Sequence, residues 1–390
     1  MAFGFLAAIA LPALGSRSWA QSERISRVRF QDSIVEVPLT TPAGGIAQHM
    51  ARVTRTTLST EETTAPMDFE LMLTMRNFSE LYARVARGEV ISREEMAANY
   101  FPLPADFDAV TGWLAAKGFT ITRQDPTRLS VFARGPISQV ADVFQATFAR
   151  VAADGAEYTS AITAPNLPTA LAPALLGISG LQPHLRAHKH ATSLSALPDS
   201  LTSNSPPFTP AQILKAYGAN NTNLTGAGQT IAIVIDTFPA DSDLVSFWSQ
   251  CNISQSLAHI QKIQVINGSM ANVDASEATL DAELTSAVAP GATVRIYATT
   301  DLRSSYLDAA YQQIYNDLPS QPGLHQLDLS FGSGETGTPN SEKRFDAQLF
   351  AMLASGGVTV FASSGDGGSN PNNGNYDPSA TLQPDLPACD

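Results

Sequence analysis

Between residues 208 and 362 five apolar runs recur at regular intervals, and that recurrence is the strongest constraint on the fold. They are Thr230–Asp236, Gln261–Ile266, Thr293–Ala298, Leu327–Phe331 and Val358–Ala362. The first is almost uninterrupted in apolar character, as a strand covered on both faces of a parallel sheet requires. Stretches with helical periodicity separate the runs, at Asp241–Ser249, Ala275–Val288, Tyr306–Asn316 and Lys343–Ser355. Strands alternating with helices predict an α/β domain with helices on both faces of the sheet.

The segment before it reads differently. Over residues 66–182 the order is strand (Phe69–Leu73), helix (Phe78–Arg87), a capped helix start (Ser92 with Glu95), helix (Asp106–Lys117), two strands (at Thr120 and Leu129) and helix (Ile137–Phe148). Gly118 follows the third helical stretch as a left-handed C-cap would. This order is close to a split βαβ, a ferredoxin-like α+β unit. Residues 183–207 are rich in Pro, Ser and Thr and include the basic stretch Arg186–His190, which predicts an exposed, cleavable linker. At the front, an apolar run closes on Ser18-Trp19-Ala20 and is too short to span a bilayer. Residues 1–20 are therefore expected to be a cleaved signal peptide, and the chain to be secreted and extracellular. Residues 21–65 read as an extension of the front unit, and 208–390 as the α/β domain. No later segment is long and apolar enough to cross a membrane, so no membrane contact is expected after signal removal.

The net charge lies wholly in the rear half. Residues 191–390 hold 6 Lys and Arg against 19 Asp and Glu, a balance of −13. Such a surface repels nucleic acid. It also suits acidic surroundings, where many of the carboxylates would be neutral. Two cysteines, Cys251 and Cys389, are too few for a disulfide framework.

The most informative stretch is the acidic helix from Asp274 to Val288. Asp274 reads as its N-cap, and Pro290-Gly291 ends it. Leu280, Leu284, Ala287 and Val288 form the expected apolar stripe. At 100° per residue Glu277 falls about 20° from the stripe centre and Asp281 about 60° from it. Both carboxyls should then face the protein body, one turn apart. Two inward acids at this spacing repel each other, and burial disfavours their charge. One proton held between them relieves both costs and makes the pair a competent base under acid conditions. The competing reading makes Glu277 the reciprocal partner of Asp274 in a capping box; Asp281 has no such alternative. A second acid, Asp366, follows the last apolar run in the glycine-rich turn Ser363–Gly368. It is either a turn-former or, if protonated, a hydrogen-bond donor to a developing oxyanion.

Together these features resemble the sedolisins, the serine-carboxyl peptidases of subtilisin-like fold. The resemblance runs from about Pro66 to Gly368. The front unit is similar to the pro-kumamolisin activation domain in Trp113–Phe119 and Leu167–Leu171. In the rear half Glu277-x-x-x-Asp281, Val288–Ala292, Asp328–Gly332 and Ser363–Gly367 follow in the family's order. The resemblance implies a subtilisin-like parallel sheet, here incomplete, behind a ferredoxin-like prodomain. It implies Glu277 as general base for a serine, Asp281 as the acid that orients it and shares its proton, and Asp366 as the oxyanion stabiliser. Ser330, Phe331 and Gly332 would bind substrate backbone. It further implies peptide or protein substrates, the chain's own prodomain as a partner, an acidic optimum, self-cleavage and one calcium ion. Subtilisins proper would use Asp236 with a histidine helix, and no histidine occurs in the acidic helix, so Asp236 is expected to be structural.

The sequence departs from the family in one respect that decides activity. No Gly-Thr-Ser motif occurs, so the nucleophilic serine is absent, as are the acids of the calcium loop. No covalent peptidase activity is expected of this chain, and a sheet cut midway should leave an unpaired edge. Three classes follow: a peptidase represented by an incomplete sequence; an inactive pseudo-peptidase whose front unit binds or inhibits related enzymes; and, last, an aspartic-type hydrolase using Glu277 and Asp281 on water. Acidification is expected to loosen contacts that ionised acids make between the two halves.

Overall fold

Thr230–Ile235 is the middle strand of a five-stranded, all-parallel sheet. In the computed structural model, which describes residues 26–39, 51–190, 208–369, 371–372, 375–376 and 382–389, the sheet order is 260–264, 293–298, 230–235, 324–329, 359–362. Ala232, Ile233, Val234 and Ile235 are all fully buried. Successive side chains of a strand point to opposite faces, so both faces are covered. The helices Asp241–Gln250 and Ser276–Val288 pack together as one pair, and Ser304–Asp317 with Asn340–Ser355 as a second. The two outer strands, Ile260–Gln264 and Thr359–Ala362, are half exposed instead of buried. Each has one strand neighbour among the described residues, and Phe361 on the second is largely exposed.

The front unit has the expected topology. Pro66–Leu73, Thr120–Gln124, Ser130–Pro136 and Leu175–Ser179 form an antiparallel sheet in which 66–73 lies between 130–136 and 175–179. That is the ferredoxin-like order, with 175–179 as the fourth strand that the sequence pattern did not single out. Phe78–Val85, Pro104–Ala116 and Ile137–Phe144 are helices. Gly118 stands at φ +82°, the left-handed conformation that lets the chain leave the helix. Phe69, Phe119, Phe144 and Val140 centre the unit's own core.

A second core joins the two units. Met72, Met75, Leu81, Met96, Tyr100 and Leu129 of the front pack in one cluster with Tyr311, Tyr315, Phe345 and Leu349 of the rear helices. Backbone crosses the junction too: Ile91 N–H donates to the Ser355 carbonyl at 2.8 Å. The expected signal peptide, residues 1–20, and the later part of the linker, 191–207, lie outside the described residues.

Candidate active site

The carboxyl ends of the sheet strands gather the polar residues, as open α/β sheets generally arrange their ligand crevices. Asp236 follows the strand 230–235, Ser330 follows 324–329, and Ser363 follows 359–362. The acidic helix Ser276–Val288 begins on the same side, after the strand 260–264.

The helix does not use the expected stripe. Leu280 and Val288 are exposed, and the buried face is Glu277, Ala278, Asp281, Ala282, Ser286 and Ala287. Small residues let this helix lie close against the strands 230–235 and 293–298, which larger side chains would hold off. Asp274 is not the N-cap either; Ala275 holds that position. The Asp274 carboxylate accepts from the Ser276 backbone N–H at 3.0 Å and from its hydroxyl at 2.7 Å. No capping box forms, and Glu277 turns inward, 3% exposed, with Asp281 7% exposed one turn later. Both carboxyls therefore sit out of bulk water.

Asp281 is held through one of its two oxygens. Ser330 donates a hydrogen bond to its Oδ1 at 2.9 Å. Its Oδ2 is buried and meets no N–H or hydroxyl donor. Burial is the main cause that lifts Asp281 to about 8, followed by the charge of Asp328; the Ser330 bond opposes the shift, and Glu277 adds to it. Burial likewise raises Asp328 to about 6. Asp328 is thus a third acid of the cluster, which the helical spacing could not reveal because it lies on the strand Leu324–Leu329 and not on the helix.

The segment from 183 is not an exposed loop as far as 190. His188–Lys189 is a strand, paired antiparallel with Phe331–Gly332, so the segment lies along the strand expected to bind substrate backbone. The His190 N–H donates to the Ser330 carbonyl at 3.2 Å. Gly332 permits the approach, since a Cβ there would stand 2.6 Å from the Leu386 carbonyl oxygen and 2.9 Å from the His190 ring. The Lys189 ammonium sits 2.9 Å from Asp236 Oδ1 and also donates to the Asp274 carbonyl. Burial raises the Asp236 pKa, and the Lys189 bond offsets part of that rise. Asp236 therefore holds the linker in this structure. His190 Nδ1 lies 2.6 Å from the Ser363 hydroxyl, and its Nε2 3.6 Å from Asp385. Asp366 is exposed on the turn beyond, within electrostatic reach of His190. Phe331 and Gly332 are buried, and Ser330 is half-buried.

Among the described residues one group of acids has oxygens within 4.8 Å of one another, Asp308, Glu342 and Asp346. It lies between the second helix pair and the front unit, away from the acid pair. It does not fit a calcium loop: Asp308 and Glu342 are sealed away from water, whereas calcium takes six to eight oxygens, many from backbone and water.

Residues 55–183 match the family model described as the pro-kumamolisin activation domain. Kumamolisin of Bacillus sp. (strain MN-32) is 25% identical over 303 residues, covering 72% of this chain and 51% of the relative. The chain thus spans about half the length of that curated relative. Among solved structures, Pseudomonas sedolisin, a serine-carboxyl proteinase complexed with two molecules of pseudo-iodotyrostatin, is 24% identical with a TM-score of 0.36, over 46% of this chain and 50% of that one. The epidermin leader peptide processing serine protease of Staphylococcus aureus is 12% identical with a TM-score of 0.45, over 83% and 68%.

Proposed function

We propose, from the premise that this chain is a sedolisin-family protein with an N-terminal activation domain, that it is the precursor of a secreted serine-carboxyl peptidase acting on peptide bonds at acidic pH. The observation that carries the reading is the burial of Glu277 and Asp281 together at the carboxyl ends of the sheet.

In this reading Asp281 is the acid partner. Its raised pKa keeps it protonated at acidic pH, and Ser330 occupies Oδ1. Oδ2 meets no donor and is assigned the proton the pair shares. A proton on Asp281 lets Glu277 stay ionised without the repulsion of a second charge one turn away. Glu277 then takes the proton of a serine hydroxyl as that oxygen attacks the peptide carbonyl, and returns it to the leaving amine. Asp366, on its turn, is assigned to the oxyanion, and the backbone of Ser330 to Gly332 to the substrate strand. The segment His188–Lys189 occupies that edge as a substrate strand would, which supports reading the front unit as a covering prodomain. The serine itself has no motif in this chain, so the chain alone is assigned no turnover. The calcium ion of the family is assigned no residue here.

The test has two parts. A serine-reactive probe and an acid-pH peptide assay applied to this chain should give no label and no hydrolysis. Reading the genomic DNA past codon 390 should give a Gly-Thr-Ser motif, in frame or after a frameshift. Its absence in all frames would remove the peptidase assignment.

A further inference from the structure

Where the front unit meets the rear one, three carboxyls are fully or almost fully buried side by side. Glu70 comes from the front strand Pro66–Leu73, Asp308 from the helix Ser304–Asp317, and Glu342 from the helix Asn340–Ser355. Neither oxygen of Asp308 meets an N–H or hydroxyl donor, and neither does Oε2 of Glu70 or Oε1 of Glu342. Buried carboxylates left in this way would cost several kcal/mol each. Asp308 instead faces Glu342, one oxygen of each within 4.8 Å of the other, and lies within electrostatic reach of Glu70. Two carboxyls can bond only through a proton that one of them carries.

The surrounding groups leave the same solution. Gln312 of the rear helix donates to the Ser130 hydroxyl, which in turn donates to Oε1 of Glu70. Ser179 of the front sheet opposes part of the rise that burial gives Glu342. Asp125 and Asp346 add further negative charge toward the group. Arg123 is the cation that faces Glu70, and its guanidinium is turned to the Ala309 carbonyl and the Gln313 side chain. With no ion pair at the three acids themselves among the described residues, burial and mutual repulsion favour their neutral forms.

We propose that Glu70, Asp308 and Glu342 form a proton-dependent latch that holds the front unit on the rear helix pair, closed while protons are shared among the three and weakened when they ionise. The latch concerns the docking of the two units and does not depend on the peptidase reading. Its sign is opposite to the expectation that acidification loosens the contact. Burial raises all three groups above the ordinary carboxyl range. Groups raised on assembly contribute fully below their free values, and the contribution is lost as pH rises through the raised ones. At acid pH this contact therefore stays closed, and separation of the units requires an event elsewhere, such as cleavage after the strand His188–Lys189.

The test is urea unfolding of the full chain between pH 5 and 8, comparing wild type with Glu70→Gln and, separately, Glu342→Gln. Each amide is close in shape to a protonated acid. Wild type should lose stability as pH rises. Each variant should match it within about threefold in the unfolding constant at pH 5 and depend less on pH above that, by up to tenfold per pH unit for one proton removed. An unchanged slope in both variants, or equal destabilisation at pH 5 and pH 8, overturns the latch. So does recovery of wild type at pH 8 by millimolar calcium or magnesium that Glu342→Gln abolishes, since a cation and not a proton would then join the acids.

Discussion

Ser330 donates a 2.9 Å hydrogen bond to Oδ1 of Asp281, tying the end of the strand Leu324–Leu329 to the acidic helix. One bond thereby joins the segment assigned to substrate backbone with the pair assigned to proton transfer. It leaves Oδ2 of Asp281 without an N–H or hydroxyl donor.

Ser330→Ala should raise the Asp281 pKa further, because the lost bond is the influence that opposes burial and the Asp328 charge. The expected loss of stability is about 1 kcal/mol, the net worth of one such bond. Site-specific carboxyl titration by NMR would read the first effect and chemical denaturation the second. A fall in the pKa would contradict the assignment.

Asp281→Asn should flatten the dependence of stability on pH. Burial and then the Asp328 charge lift this carboxyl to about 8. Its contribution is full below the unfolded value of about 4 and is lost as pH rises through about 8. The variant carries no such proton and should gain on wild type between pH 5 and 8. Denaturation midpoints at the two ends check this, and a parallel loss in both proteins would speak against it.

Lys189→Met should free the strand His188–Lys189 from its edge. The ammonium sits 2.9 Å from Asp236 with both side chains largely buried, and removing one partner of such a pair costs about 3–5 kcal/mol while the other stays charged. Asp236 can instead take a proton, because burial already raises its pKa. The effect should therefore be small at pH 5 and larger at pH 8. Hydrogen exchange of the His190 amide, which bonds the Ser330 carbonyl, should quicken on the same schedule.

Gly332→Ala should disturb both neighbours of its strand. The added methyl would lie 2.6 Å from the Leu386 carbonyl oxygen, which is backbone and yields little, and 2.9 Å from the His190 ring. An overpacked site of this kind costs about 1–3 kcal/mol. Thermal unfolding with exchange at Lys189 would detect it; an unperturbed pairing of Lys189 with Phe331 would show that the edge can open at no cost.

Local pattern alone determined most of the architecture. The alternation of apolar runs with helical stretches fixed the five parallel strands, because periodicity and the need to cover both sheet faces are properties of short segments. The first three strands and the helices of 66–182 and the left-handed turn at Gly118 were legible for the same reason, but the last helix stops at Phe144, Phe148 opens a strand, and the strand 175–179 carried no signal of its own. Spacing also brought Glu277 and Asp281 to one face. The stripe used to argue it was wrong, since the helix packs through Ala278, Ala282 and Ser286 while Leu280 faces solvent.

What only the tertiary structure decided involves residues far apart in the chain. Ser330 and Asp328 joined the acid pair, Lys189 found Asp236, and the basic stretch read as a loose linker became a strand on Phe331–Gly332. Glu70, Asp308 and Glu342 carry no motif at all. Their chemistry comes from being sealed together away from water, and burial is set by the packing of whole elements, which no stretch of neighbouring residues encodes.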